Sequence, residues 1–186
     1  MKRSAKVCGL VLAGVASSAA GAWSQTSPTV VAPNVMDATV EVKAASYVQE
    51  TGINNLFAVK SSELALKKSR DSKVRRFAER TLKDNEAATT ELKQAVAAAK
   101  VDAAPPNSLD GERQSMLDQL QSASGADFDR SYLQMQMQNA QDSLRTQVDY
   151  RMHGGNAKLQ SYATSASTRA QTRLSELGKI SQGQLQ

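Results

Sequence analysis

Apolar and small residues recur at steps of three and four along residues 72–100. Because this spacing places side chains on one face of an α-helix, the segment is predicted to be a long helix that packs on partner helices. The stripe comprises Val74, Phe77, Ala78, Thr81, Leu82, Asn85, Ala88, Leu92, Val96 and Ala99. Asn85 is a polar residue at the middle of this seam, where a helical bundle normally places an aliphatic side chain or a ligand. If the protein holds a metal, one ligand should lie here.

Helical spacing also predicts three more long helices and one short helix, and no segment shows the alternation of a strand. The first helix is expected to begin between residues 37 and 46 and to end near residue 69, so only a tight link separates it from the second. Pro105 and Pro106 prevent the second helix from continuing beyond this point. A short helix is predicted at 110–122, and long helices are predicted at 127–152 and 156–177, with Gly178 as the terminator of the last one.

Two short links and one connector of about 25 residues predict a four-helix bundle with a single long crossover. The predicted fold class is therefore all-α, a ferritin-like four-helix bundle with one long crossover carrying a short helix. This connectivity concerns topology and says nothing about iron. Two adjacent faces of the 127–152 helix remain open as its buried seam, one with Phe128, Tyr132 and Asn139, the other with Leu133 and Ala140.

The first residues of the chain have the pattern of an export signal. Lys2, Arg3 and Lys6 precede an apolar run at 7–15, and small residues follow at 20–22. An uncleaved membrane anchor is the alternative, but the run is shorter than the about 20 residues that span a bilayer. We therefore expect a signal peptide at 1–22, a flexible linker at 23–40, the bundle at 41–178 and a disordered tail at 179–186. The expected location is periplasmic, with peripheral outer-membrane association left open and no integral span after cleavage.

Removal of this signal changes the charge of the chain. The full sequence has 23 basic and 18 acidic residues, for a net charge of +5, and loss of the three basic residues leaves +2. A nucleic-acid partner would need a concentrated basic face, and the remaining basic residues are interspersed with acidic ones. The single cysteine, Cys8, also lies in the signal. We therefore expect no nucleic-acid partner, no disulfide and no thiol chemistry in the mature chain.

Motifs for catalysis or metal binding are absent from the sequence. A carboxylate-bridged di-iron centre needs Glu-x-x-His on two helices, and no such pair occurs. The one histidine, His153, precedes Gly154 at a predicted helix end, where a solvated residue is expected. Met135 and Met137 lie two positions apart on a helix, so they point to different faces and are expected to pack rather than to bind Cu(I) together. We expect no catalytic residue, no metal, no cofactor and no enzymatic activity.

Two segments of the chain resemble a bacterial exported family known as domain of unknown function 4142 (DUF 4142). They are SSELALKKSRDSKVRRFAERTLKDNEAATTELK and LDGERQSMLDQLQSASGADFDRSYLQMQM, and the resemblance extends over about residues 47–177. The family is grouped with ferritin-like folds, and some members are labelled outer-membrane proteins. The resemblance therefore implies the same fold class as the helical pattern, and it adds little about function.

The resemblance also implies where a family site would lie. Many members carry a histidine in each of the second, third and last long helices, and these positions correspond here to Asn85, Ala140 and Gln171. An acidic residue of the first helix would correspond to Ala58 or Lys60. Since none of the three positions is histidine, the resemblance implies a degenerate site. We expect Asn85 to be buried and to form a hydrogen bond with Gln171 or a water, because an unsatisfied buried amide is costly.

Together these patterns predict an exported, non-enzymatic helical bundle that binds or scaffolds an unknown protein or other component of the cell envelope. A role in envelope stress is implied by the resemblance alone. Two alternatives remain open. One is a ferritin-like metal-binding or oxidoreductase protein, and the other is an oligomeric, coiled-coil-like structural protein, with a homo-oligomer as its partner.

Overall fold

The computed structural model describes the backbone of residues 35–184 and the side chains of residues 43–182. This part of the chain is all-helical and contains no strand, which confirms the predicted all-α fold. The five helices are α1 Val35–Lys68, α2 Ser72–Ala99, α3 Gly111–Ser122, α4 Gly125–His153 and α5 Ala157–Gln184. The predicted signal peptide lies outside the described residues. Among the helices of 35–184, none combines the length and the apolar character that a bilayer-crossing segment needs.

Asp71 fixes the start of α2 as its N-cap. Its Oδ1 accepts hydrogen bonds from the backbone N–H groups of Lys73 at 2.7 Å and Val74 at 3.0 Å. These bonds satisfy donors that have no partner within the helix. Because the cap lies three residues after the end of α1, the two helices must fold back on each other as an antiparallel pair.

The ends of the bundle differ from the prediction in two places. Helix α1 begins at Val35, so part of the predicted linker 23–40 is helical, consistent with the absence of glycine and proline between residues 35 and 51. Helix α5 passes through Gly178 and ends at Gln184, so Gly178 is not a terminator and residues 179–184 are not a disordered tail. A glycine costs about 1 kcal/mol in a helix, and burial of Leu177 and packing of Ile180 on the core offset it here.

The four long helices form a square in which α1 packs on α2 and α4, and α5 packs on α2 and α4. Apolar side chains gather at the two ends of the bundle. The first apolar cluster joins the start of α1, the end of α2, the end of α4 and the start of α5, and it includes Tyr47, Val48, Leu92, Val96, Tyr150, Leu159 and Tyr162. The second apolar cluster joins the opposite ends and includes Ala65, Val74, Phe77, Leu120, Phe128, Tyr132, Leu133, Ala140 and Leu177. Neighbouring long helices are therefore antiparallel.

The crossover between α2 and α4 spans the length of the bundle, because α2 ends at the first apolar cluster and α4 begins at the second. Its helix α3 packs on α1 and α4. Gly52 of α1 leaves the space that the crossover occupies, since a Cβ atom there would lie 2.5 Å from Cδ of Pro106. The glycine that weakens α1 as a helix thus allows the crossover to approach it.

Candidate functional site

The middle of the bundle, between the two apolar clusters, is lined by polar side chains. We call this set the polar section; its buried members are Thr51, Asn54, Asn55, Ser61, Ser62, Thr81, Asn85, Gln136, Asn139, Gln147 and Ser167. A buried polar group costs free energy unless it has a hydrogen-bond partner. The arrangement of donors and acceptors here therefore determines what the section can do.

The contacts between α1 and α4 satisfy many of these groups. Gln147 accepts from the Tyr47 hydroxyl at 2.5 Å and donates from Nε2 to Thr51 Oγ1 at 3.2 Å. Gln136 Nε2 donates to Ser61 Oγ at 2.7 Å. Further along, the hydroxyls of Ser62 and Tyr132 lie 2.9 Å apart, and Asn139 Nδ2 donates to the backbone oxygen of Asn54 at 3.1 Å. This side of the polar section is a structural network that joins the two helices.

The three family positions do not converge on one site. Asn85 is only 2% exposed, which confirms its predicted place in the seam of α2. Its Nδ2 donates to the backbone oxygen of Thr81 at 2.6 Å within its own helix. Gln171 lies on the exposed face of α5, so the predicted Asn85–Gln171 hydrogen bond is wrong; α5 turns the side chain of Gln171 toward solvent. Ala140 is fully buried in the second apolar cluster.

Two arginines of α5, Arg169 and Arg173, face the same region as Asn85. They line a central cavity of about 10 Å³ that side chains from all four long helices surround, among them Asn55, Asn85, Gln147 and Tyr162. The same two arginines line a cleft of about 140 Å³ between α2 and α5, together with Arg80, Thr81, Asp84, Thr168, Thr172 and Glu176. We call these two spaces, which share Arg169 and Arg173 in their linings, the α2–α5 cleft.

Two of the three arginines in the α2–α5 cleft form ion pairs within residues 43–182, and the third does not. Arg80 forms an ion pair with Glu176, and Arg169 Nη1 lies 2.9 Å from Glu91 Oε2. Arg173 has neither an ion pair nor a hydrogen bond with any residue that the structure describes. Burial lowers the pKa of its guanidinium, and the charge of Asp84 opposes this effect.

Donors without acceptors also meet at the central cavity. Asn55 Nδ2 and Arg169 Nη2 are buried and have no hydrogen-bond partner of normal geometry. The Tyr162 hydroxyl donates to the backbone oxygen of Ala88 at 3.1 Å. Burial raises the pKa of Tyr162, and the side chains of Asn55 and Arg169, which face its hydroxyl oxygen, oppose this rise. One hydroxyl oxygen thus faces two buried N–H groups, which leaves the cavity richer in donors than in acceptors.

Sequence reasoning missed this cleft because it considered histidines and carboxylates. A signal is nevertheless present: Arg169 and Arg173 are four residues apart and flank the inward-facing Ala166, Ala170 and Leu174. Long cationic side chains next to a stripe of small residues can reach across the surface of a helix into the interior.

A metal site has little support in this part of the chain. No group of three or more His, Cys, Asp or Glu side chains among the described residues is arranged to hold a metal ion. His153 is 67% exposed, and its Nδ1 lies 3.0 Å from Asp149 Oδ1 in the same helix. It lies at a pocket of about 420 Å³ formed with Tyr47 and Tyr150, which stack with their ring centroids 3.9 Å apart. Met135 and Met137 both pack against the second apolar cluster, as expected for core residues.

Comparison with known proteins agrees with the fold and identifies the family. A solved structure of a DUF305 fragment from Deinococcus radiodurans is similar to this chain, with a TM-score of 0.64 and 11% sequence identity over 74% of this chain and 94% of that chain. At this identity the likeness concerns the fold alone. No curated protein matches the chain. Residues 29–180 match the family described as Domain of unknown function (DUF4142), and because this match covers most of the chain, the protein belongs to that family.

Proposed function

We propose that this protein is a non-enzymatic binding protein of the bacterial cell envelope that holds a small polar ligand in the α2–α5 cleft. The observation that carries the proposal is the set of buried N–H groups without acceptors at Asn55 and Arg169, beside the unpaired Arg173. A buried donor that is left without an acceptor costs about 1–3 kcal/mol of stability. A ligand that supplies acceptors would recover this free energy.

The non-enzymatic assignment rests on the composition of the cleft. It contains arginine, threonine and amide side chains, which bind and orient polar groups, and it lacks a histidine or a cysteine that could act as base or nucleophile. The envelope location rests on the export pattern of residues 1–22. Envelope stress is the setting that the family resemblance suggests for such a protein.

The test is native mass spectrometry of the full chain, expressed with its own signal and purified without a histidine tag from the periplasmic fraction. A panel of neutral polar, anionic and cationic small molecules is then added. We expect a 1:1 complex with at least one compound, and its loss when Asn55 and Arg169 are both changed to alanine. Absence of binding across the panel, or recovery of the protein only from the cytoplasm, would contradict the proposal. Stoichiometric bound iron, manganese or copper would favour a metalloprotein instead.

A scaffold role is the second candidate, and one surface feature favours it. A groove of about 1150 Å³ runs along α4, with Leu133 and Met137 at its base and Lys73, Asp129 and Arg130 around it. Its shape and mixed lining suit an amphipathic helix of another envelope protein. Crosslinking in intact envelopes from a photoreactive residue at position 137 tests this role, with position 76 on the outer face of α2 as the control.

A further inference from the structure

We infer that the α2–α5 cleft is specific for a small oxyanion, a carboxylate or phosphate group, bound by the guanidinium groups of Arg173 and Arg169 and by the side-chain amide of Asn55. This inference rests on the proposed function and names its ligand class. Three observations lead to it: the unpaired groups are donors, the space has room for more than one water, and the nearest acid does not occupy it.

The unpaired groups at the cleft are donors. A guanidinium carries five N–H donors and no acceptor, and an amide Nδ2 carries two donors. Arg169 uses Nη1 for Glu91, whereas its Nη2 has no partner. The orientation of the Asn55 amide does not change the number of N–H donors that the two guanidinium groups bring to the cavity. A ligand that pairs with both guanidinium groups must offer several acceptor atoms at once, as an oxyanion does.

The size of the space favours a group larger than one water. The central cavity of about 10 Å³ is sufficient for about one water, since a water needs about 10–15 Å³ of such space. The adjoining cleft of about 140 Å³ provides room for several more heavy atoms. Because both spaces are lined by Arg169 and Arg173, an oxyanion in the cleft can contact both guanidinium groups. Guanidinium groups bind carboxylates and phosphates through paired, charge-assisted hydrogen bonds.

Among the described residues, the acidic side chains near the cleft do not occupy the space beside the Arg173 guanidinium. Glu176 and Glu91 are engaged by Arg80 and Arg169. Asp84 of α2 lines the cleft and is exposed, and it forms no ion pair with Arg173 within 4.0 Å. Its charge competes with a bound anion. Removal of this charge should therefore strengthen anion binding, which a purely structural role for Arg173 does not predict.

The experiment is a titration of the ¹⁵N-labelled full chain with sodium phosphate, sodium acetate and neutral acetamide at constant ionic strength, followed by the side-chain N–H signals of Asn55, Arg169 and Arg173. We expect saturable shifts with phosphate, acetate or both, and none with acetamide. Comparison of the two anions distinguishes a phosphate site from a carboxylate site.

Three variants test whether the anion binds beside Arg173. Arg173→Gln is expected to weaken anion binding by about tenfold or more, because it removes a charge-assisted contact. Asp84→Asn is expected to strengthen it by severalfold. Arg76→Gln, a matched loss of charge on the exposed outer face of α2, is expected to leave affinity unchanged. Thermal unfolding of each variant without ligand establishes that the bundle is intact. If Arg173→Gln does not fold, Arg173→Lys replaces it in the titration, and a smaller loss of anion affinity is expected.

The outcomes separate the two proposals. If acetamide or another neutral compound binds at the cleft and the anions do not, the oxyanion inference is overturned and the proposed binding function stands. If the anions shift wild type and Arg173→Gln equally, the site lies elsewhere and the inference is likewise overturned. If no compound produces saturable shifts at these side chains and only ordered waters occupy the cleft, both proposals fail.

Discussion

Replacement of Arg113 by methionine should loosen the crossover from the bundle, because this buried side chain joins helix α3 to α1. Arg113 is only 9% exposed. Its Nη2 donates to Asn54 Oδ1 at 2.8 Å and to Glu50 Oε1 at 3.2 Å, while Nη1 donates to Asp110 Oδ2 at 3.2 Å. Asp142 of α4 lies 3.9 Å away. The guanidinium is therefore the common partner of groups from α1, α4 and the loop before α3.

The magnitude follows from what the substitution leaves behind. Methionine keeps much of the apolar contact of the arginine stem, so the loss is mainly polar. The buried Asn54 oxygen loses its partner, which costs about 1–3 kcal/mol. The carboxylates of Glu50 and Asp110 lose a cation but are 43% and 35% exposed, so water screens much of their mutual repulsion, and we assign them together about 1 kcal/mol. The expected loss of unfolding free energy is about 2–4 kcal/mol.

Urea denaturation followed by circular dichroism measures this loss, and amide hydrogen exchange shows where it acts. Protection should fall first in α3, since Arg113 lies in that helix. Arg145→Met is the matched control, because Arg145 is 79% exposed and, among the residues that the structure describes, forms its ion pair within its own helix, with Asp142. It should change stability by less than about 0.5 kcal/mol. Equal effects of the two substitutions would refute the role assigned to Arg113.

Further substitutions test the helix ends and the buried tyrosines. Gly52→Ala should destabilise by about 1–2 kcal/mol, because overpacking against Pro106 outweighs the gain in helix propensity. The same change at Gly178, where an added Cβ meets nothing within 4 Å, should stabilise by about 0.5–1 kcal/mol; destabilisation there would contradict a continuous α5. Urea melts measure both. Burial raises the pKa of Tyr132, so the folded state keeps its proton where the unfolded state, with a pKa of about 10, loses it. Stability should therefore fall as the pH rises above about 10, and Tyr132→Phe should reduce that fall; an equal fall in both proteins would exclude Tyr132 as its source.

Helical spacing predicted the bundle well because burial of apolar faces is a local, periodic property of the sequence. The seam of α2 is an example: Val74, Phe77, Leu92 and Val96 are all buried as predicted. For α4 the sequence left two adjacent faces open, and the structure buries members of both, including Tyr132 and Leu133, because the helix contacts α1, α3 and α5. The number of neighbours of a helix is a tertiary property, so spacing alone cannot give it.

The ends of helices were predicted less well for a related reason. Gly178 has low helix propensity, and propensity considered alone predicts a stop at this residue. Packing of Leu177 and Ile180 on the second apolar cluster decides the outcome instead. A contact formed between distant parts of the chain overrides a local preference of about 1 kcal/mol, and no pattern within residues 170–184 reveals that contact.

The polar section connects the fold to the proposed function. A bundle whose only task is stability gains from apolar side chains at positions such as 55, 85 and 173, because a buried polar network with missing partners is less stable than an apolar core of the same volume. Buried atoms without a partner occur on both sides of the section: Asn54 Nδ2, Gln136 Oε1 and Asn139 Oδ1 on the α1–α4 side, and Asn55 Nδ2 and Arg169 Nη2 at the central cavity. The atoms on the α1–α4 side include both donors and acceptors, whereas those at the cavity are all donors. This difference argues that the cavity suits an acceptor that comes from outside the chain.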